Sequence, residues 1–395
     1  MANLGKKWGT ALACWAVALA FVVMSICLGI VIPSSAAADA VIVVTCGEST
    51  KSFTNSDIGG IGDYLEKLPM NATAEKPVVI KLLKDIYADQ AVSIIASTND
   101  SYDRYQQFIL LDLAGHVFQS KTTIGFGCVV AGSLTIIDSN PTATHYAVRS
   151  NNSGTISYEF FDSKSALPSG AAEQAFAIKG GVVTAEEGVL FNSFYGGHDL
   201  VINGGNFLGT GIMQVVGNEI SEEEARGFME QFGFVPSQRI IINGGLMELY
   251  VNASNDEFVG TFLSELQLEG NYGALIMDGS LEINGGTIYG KIAYVNMESE
   301  TVYDNVDLSE PNDEIKDHII VNVAMKKDVV DGVTVYYSDD AEAPANPNEP
   351  VTDADTAHDN NNLIALIVLG AAAAVMVVGV SVIVAINAKR RKKAA

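Results

Sequence analysis

Apolar residues run through the middle of this chain in short stretches, each cut by Gly, Asn, Asp or Pro. "KPVVIKLLKDI" (76–86) sets β-branched and aliphatic residues between polar ends and predicts a strand. "AVSIIAS", "QFILLDLAGHVFQS" and "CVVAGSLTIIDS" (128–139) follow as further strand-length runs closed by turns. Helical spacing is confined to two places. "SDIGGIGDYLEKLP" (56–69) predicts a short amphipathic lead-in helix that ends before Pro69. "SEEEARGFMEQFG" (221–233) opens on Ser221 with Glu224 three residues on, a capping box, and Gly233 suits its stop. This second helix is an insertion between strands.

The strand runs repeat. "VINGGNF" (201–207), "IINGGLM" (241–247) and "EINGGTI" (282–288) each place Asn-Gly-Gly after an isoleucine. Asn and Gly tolerate the positive φ that tight corners need. A hairpin would use Asn-Gly too, but hairpins do not explain the recurrence of Asn203, Asn243 and Asn284 at steps of 40 and 41 residues. Recurrence at fixed offset suggests coils wound on one axis with stacked corners. A coil of three short strands needs roughly 20–25 residues at ~3.3 Å per strand residue plus turns. Each step is therefore two coils, or one coil with an insertion. "VVAGSLTI" (129–136) and "IMDGSLEI" (276–283) share Gly-Ser-Leu-x-Ile, a second repeat. "ALIMDGSLEINGGTIYG" (274–290) joins the two kinds as strand, turn, strand, turn, strand. Ile202, Ile242 and Ile283 are expected to point inward, and the three asparagines can form a hydrogen-bonded ladder.

The two ends carry membrane signals. Lys6 and Lys7 precede an apolar run from about Ala11 to Ile32, and "SSAAADA" follows with small-x-small cleavage sites. Residues 1–40 are expected to be a cleaved secretory signal peptide, with an uncleaved signal anchor as the alternative. Leu363–Ile386 is an uncharged run of 24 residues followed by "KRRKK" (389–393). Such a helix spans ~36 Å, enough for a ~30 Å hydrocarbon layer. A basic cluster stays on the cytoplasmic side. The expected order is signal peptide 1–40, ectodomain 41–337, disordered acidic stalk 338–362, transmembrane helix 363–387 and basic cytoplasmic tail 388–395. Localisation is then the plasma membrane, single-pass, with the N-terminal body outside.

Charge narrows the partners. Setting aside two lysines of the leader and five basic residues of the tail leaves 16 of the 23 Lys and Arg in 41–362. Against them stand 46 of the 47 acidic residues once Asp39 is set aside, a net charge of −30. Nucleic acid is excluded as a partner, while divalent cations and basic partners are attracted. Only Cys46 and Cys128 remain in the mature chain. In an oxidising compartment they are expected within bridging reach, with two separately buried thiols as the alternative. The sequons at Asn71, Asn99, Asn151 and Asn252 are read as chance.

These strands resemble a known family. Leu82-Leu83-Lys84-Asp85, Leu111-Asp112-Leu113-Ala114-Gly115 and Leu134-Thr135-Ile136-Ile137-Asp138-Ser139, followed by repeated "INGG", are similar to motifs of bacterial cell-surface, pectate-lyase-like proteins. The resemblance covers about 56–325. It implies an all-β fold, a right-handed parallel β-helix solenoid with a short N-terminal helical lead-in and one helical insertion, to which the C-terminal transmembrane helix is added. That family often has Asn where Ala114 stands. It often ends with L-P-x-T-G for transfer to the wall; this chain lacks that motif, and "NPNEP" (346–350) is a poor imitation of another. Retention in the membrane by Leu363–Ile386 is expected instead.

The search for chemistry finds little. There is no phosphate-binding G-x-x-x-x-G-K-[ST] motif and no G-x-S-x-G elbow, and "GFGCVVAG" (125–132) has Val130 where a dinucleotide fingerprint needs glycine. The five histidines are isolated in sequence, so no zinc site is expected. Polygalacturonase-like hydrolases of the resembled fold carry G-H-G and R-I-K; here Gly197-His198-Asp199 and Arg239-Ile240-Ile241 are each broken at the informative residue. Asp339-Asp340 lies in the expected stalk. Asp112, Asp138 and Asp278 sit where corner residues belong. The aromatics of "YEFFD" (158–162) and "FNSFYGG" (191–197) are expected to stack internally along the coils. No catalytic, cofactor-binding or metal-ligating residue is assigned, and no cofactor is expected. The leading expectation is a membrane-anchored surface protein whose body binds a glycan or another surface protein. A surface-displayed polysaccharide lyase or glycoside hydrolase, and a structural envelope component, are the alternatives.

Overall fold

The computed structural model describes residues 39–68, 75–96, 107–129, 132–152, 155–171, 175–194, 198–217, 221–232, 235, 237–252, 268–310 and 312–339. The protein is an all-β structure built on parallel sheets. One sheet has nine strands. Its parallel part runs Val78–Leu82, Gln107–Asp112, Gly132–Ile137, Asp199–Ile202, Arg239–Ile242, Ser280–Ile283 and Ile319–Val321, each hydrogen-bonded to the next. The other sheet has thirteen strands and takes up the chain between these. Between successive strands of this parallel part the chain crosses to the second sheet, makes one to three strands there, and returns. Val182–Phe194 shows the pattern: its first half pairs with Val117–Ser120 and its second half with Thr123–Val129.

Alternation explains which residues face in. Val78–Leu82 and the strands at 199–202, 239–242 and 280–283 bury every second side chain. Parallel pairing then places like on like. Ile136, Ile202, Ile242 and Ile283 are in register on four successive strands, and Leu134, Leu200, Ile240 and Leu281 form a second file. All eight are fully buried, each such side chain contributing about 1.5–3 kcal/mol. The two Gly-Ser-Leu-x-Ile repeats occupy the same files. Phe126, Phe191 and Phe207 stack inside, with ring centroids 5.0–6.2 Å apart.

The Asn-Gly-Gly corners stack as expected. Asn243 Nδ2 donates to Asn203 Oδ1 at 2.7 Å, and Asn284 Nδ2 to Asn243 Oδ1 at 2.8 Å. A fourth rung, Asn322, lies in "VNVA" without the glycines; its Nδ2 donates to Asn284 Oδ1 at 2.7 Å. Backbone bonds run beside the ladder, Asn243 N to Ile202 O at 2.8 Å and Asn284 N to Ile242 O at 2.7 Å. The second glycine of each corner is constrained twice. Gly245 and Gly286 have φ of +97° and +92°, and a Cβ on either would lie 2.5 or 2.7 Å from the carbonyl oxygen of the corner before. Ile202, Ile242 and Ile283 pair directly, so each step of about 40 residues returns the chain to the neighbouring strand of the first sheet. The first step holds the helix Glu222–Phe232, where Ala225 N donates to Ser221 O.

Several expectations change. The run 76–86 is two strands, Val78–Leu82 and Ile86–Ala88, bent at Leu83–Asp85, where Leu83 N turns to Val41 O and Asp85 accepts from Val117 N. The lead-in is a 3-10 turn, Ile58–Gly60, continued by the helix Ile61–Glu66. The "YEFFD" aromatics do not join the internal stack. Strands Thr144–Asn152, Thr155–Phe161 and Ala175–Lys179 form a separate antiparallel sheet, and Tyr158 and Ile178 pack on Val117, Val182 and Leu208 of the body.

Cys46 and Cys128 are both free thiols, which corrects the expected pairing. Cys46 ends the strand Ile42–Cys46, which pairs antiparallel with both Val78–Leu82 and the edge strand Ser49–Phe53 at one end of the nine-stranded sheet. Cys128 is buried in the core and works as a hydrogen-bonding group: Leu134 N donates to its Sγ at 3.1 Å, and Sγ lies 3.5 Å from Asp199 O. Its position is set by that bond and by the strand Thr123–Val129, not by a partner sulfur. The other edge of the thirteen-stranded sheet carries the antiparallel hairpin Met325–Val330 and Val333–Ser338. Unpaired edges invite further strands, and antiparallel caps block them. The expected signal peptide and stalk lie almost wholly, and the expected transmembrane helix 363–387 wholly, outside the described residues. Among the described residues no helix is long and apolar enough to cross a membrane.

Two outcomes are expected. Ile242→Ala should destabilise the body by about 2–5 kcal/mol. Asn243→Ala, which breaks the ladder in its middle, should cost more than Asn322→Ala at its end, by about 1 kcal/mol. Chemical denaturation checks both; equal effects at the two asparagines would mean that the ladder carries no stability. Thiol labelling without reductant should modify both cysteines after denaturation. In the native protein Cys46 should react well ahead of Cys128, whose buried thiol is pushed to a higher pKa. A denatured chain that stays unlabelled would mean a bridge.

Candidate functional site

The acidic residues singled out in the sequence are corner groups. Asp112 Oδ1 accepts from Ala114 N and Ser139 N, and its Oδ2 from Ser139 Oγ. Asp138 Oδ1 accepts from Gly115 N at 2.7 Å and Asn140 N, and its Oδ2 from Gly181 N at 2.6 Å. Asp278, at φ +52°, accepts from Met297 N. Each carboxylate satisfies backbone N–H groups that a turn leaves without a ladder partner. Asp339 pairs with Lys326 at 2.6 Å, and Asp340 lies outside the described residues.

The two broken motifs meet in space. Asp199 and Arg239 are directly paired on neighbouring strands of the first sheet. Arg239 donates from Nε to Asp199 Oδ1 at 3.0 Å and from Nη2 to Oδ2 at 2.9 Å, and its Nη1 reaches Glu282 Oε2 at 3.1 Å. Ser237 Oγ also donates to Asp199. Burial works against the Asp199 charge, but Arg239, His198 and Ser237 together hold its carboxyl below the usual range. Burial, with Arg239 adding to it, keeps His198 below the usual imidazole range against the pull of Asp199. His198 Nδ1 accepts from Asp199 N at 2.8 Å, and the ring lies beside Phe108. Asp199, Arg239 and Glu282, the last in the adjacent line with Ile241, are partly exposed on the outward face of the first sheet.

A second polar cluster lies under the antiparallel sheet, and sequence reading missed it. Arg149 Nη2 donates to Tyr250 Oη at 3.1 Å and lies 3.8 Å from Glu248, while its Nη1 is 3.5 Å from Asp331. Tyr158 Oη donates to Glu248 Oε1 at 3.0 Å. Burial raises the Glu248 carboxyl above its usual range, with Arg149 and Tyr158 pulling the other way. Tyr289, Val330 and Val333 complete a shallow cleft over these groups. The five polar residues come from four separate segments, so only alternation in "MELY" (247–250) hinted that Glu248 and Tyr250 share one face. A third cluster, Asp85, His145 and Asp162, joins a corner of the body to the same antiparallel sheet.

Arg239→Met should remove a bidentate pair and leave two carboxylates beside each other, costing about 1–3 kcal/mol at neutral pH. Because the folded pKa of Asp199 is depressed, this contribution is complete above the unfolded Asp value of about 3.9 and is lost as pH falls through the lower folded value. Denaturation of wild type and variant across that range should converge on the acid side. A difference that stays constant with pH would mean that Arg239 acts by packing alone.

Compared with models of known families, with curated proteins and with solved structures, the chain matches none.

Proposed function

We propose that the chain is a membrane-anchored extracellular surface protein, adhesin-like, whose body is a right-handed parallel β-helix that binds a glycan or surface protein at a bacterial cell surface. The secretory leader 1–40 delivers it, and Leu363–Ile386 holds it. The observation that carries the binding reading is the outward face of the nine-stranded sheet. Val79, Thr135, Val201, Ile241, Glu282 and Ile320 fall in one line across successive strands, Leu110 completing it. Most are half-exposed. Parallel strands repeat every 4.7–4.9 Å or so, so the face offers similar groups at regular intervals. A regular row suits an extended polymer with a repeating unit. Weak contacts along it add up, and many copies on one cell strengthen them further. The solenoid reading rests on the shared order of strands in the two sheets and on the stacked Asn-Gly-Gly corners.

The second reading is a polysaccharide lyase or hydrolase. His198, Asp199 and Arg239 favour it, because they lie together on the outward face. Against it, Arg239 occupies both oxygens of Asp199 and also holds Glu282. A glycosidase needs one carboxyl free to give a proton and another free to act as base or nucleophile.

The test presents the full chain, reconstituted in lipid vesicles, to a panel of acidic and neutral polysaccharides with and without Ca²⁺. Retention of a polymer without cleavage is expected, weakened by Ile241→Lys on the row. New ultraviolet-absorbing unsaturated ends would identify a lyase, and new reducing ends a hydrolase. Either product, if abolished by Asp199→Asn, overturns the binding reading.

A further inference from the structure

Asp85, His145 and Asp162 are far apart in sequence and isolated from any metal motif. Asp85 stands at the bend between Val78–Leu82 and Ile86–Ala88 in the body. His145 is near the start of Thr144–Asn152, and Asp162 directly follows Thr155–Phe161, across the same antiparallel pair. The fold brings one ring nitrogen of His145 and one oxygen of each carboxylate within 4.8 Å of one another.

The histidine shows what the cluster is for. His145 is 6% exposed. Its Nε2 lies 2.8 Å from Gly115 O. A carbonyl only accepts, so Nε2 donates to it. The other nitrogen, Nδ1, is buried and has no hydrogen-bond partner. A buried polar atom left unmet costs about 1–3 kcal/mol. The same ring belongs to a group with two carboxylates. With Nε2 committed to Gly115 O, a cation held among the three side chains gives Nδ1 and both carboxylates a partner. A ring held through its far N–H by a backbone carbonyl is also the usual support of a metal-ligating histidine. Asp85 is oriented in the same way: its Oδ1 accepts from Val117 N at 2.9 Å and lies 3.3 Å from His116 Nδ1.

We propose that Asp85, His145 and Asp162 bind one divalent transition-metal ion of the zinc class. One imidazole nitrogen and two carboxylate oxygens suit a borderline ion such as Zn²⁺, with water completing the shell. Ca²⁺ prefers six or more oxygens, and a buried imidazole is a poor ligand for it. Zinc–ligand distances of about 2.0–2.2 Å set ligand atoms roughly 3.3 Å apart, so binding draws the three groups inward by an ångström or so. The two carboxylates balance the charge of the ion. Its role is a staple: it ties two strands of the antiparallel sheet, at 145 and 162, to a corner of the body. This inference is independent of the outward face proposed for polymer binding.

The full chain in mild detergent, stripped with a chelator, is titrated with Zn²⁺ against a chromophoric competitor. One equivalent is expected to bind above the weak, salt-sensitive background of the acidic surface. Asp162→Asn, at an exposed position that leaves the core intact, should weaken that equivalent by about tenfold or more, as should His145→Asn. Asp313→Asn, an exposed carboxylate elsewhere, should leave it unchanged. Zn²⁺ should raise the melting temperature of wild type and not of Asp162→Asn. Absence of a stoichiometric equivalent, its persistence in folded Asp162→Asn, or its displacement by equimolar Ca²⁺ would each overturn the proposal.

Discussion

The strands Asp199–Ile202, Arg239–Ile242, Ser280–Ile283 and Ile319–Val321 each end in an asparagine that stacks on the next. That stacking governs the rest. At a corner the backbone leaves the sheet, and its N–H and carbonyl groups lose their ladder partners. Asn-Gly-Gly answers both needs. The asparagine keeps its own N–H on the isoleucine carbonyl of the previous strand and extends its side chain to the next asparagine. The second glycine turns at positive φ under a carbonyl that leaves no room for a Cβ. Stacked corners hold the register, and register decides which face each side chain takes. A slip of one residue would turn the buried isoleucine file outward.

The corners of the early strands solve the same problem with Asp112 and Asp138, and the difference is physical. A carboxylate only accepts, so an aspartate gathers backbone N–H groups but cannot stack on another aspartate. Asp112 and Asp138 therefore collect donors from neighbouring turns, including Ser139 and Gly181. An amide both donates and accepts, so asparagines can form a continuous file. The ladder begins at Asn203 and extends to Asn322, where the chain has lost the glycines but kept the amide.

Where the chain leaves this regular pattern, it gathers charge. The segment between Ile137 and Val182 carries an antiparallel sheet that covers part of the second sheet. Its underside brings Arg149 to Glu248 and Asp331, and its open end brings His145 and Asp162 to Asp85. On the outward face of the first sheet, by contrast, Arg239 bridges Asp199 and Glu282 on the strands either side of its own. The regular part of the structure neutralises its charges locally. The inserted part assembles groups from distant segments.

Much of the regular architecture is legible in the residues alone. Period-two alternation and the recurring Asn-Gly-Gly are local, so strands, corners, the inward isoleucines and the helix at 222–232 could be read directly. The corner roles of Asp112, Asp138 and Asp278 were legible for the same reason. What sequence left open was which strands the repeats make neighbours; Ile202, Ile242 and Ile283 pair directly on successive strands. The cysteines could be counted but not placed, because bridging depends on distance, and the strands hold the two thiols in separate roles. The Arg149 and Glu248 cluster and the Asp85, His145 and Asp162 group left no linear trace. Their members lie dozens of residues apart, and only the docking of the antiparallel sheet on the body makes them neighbours.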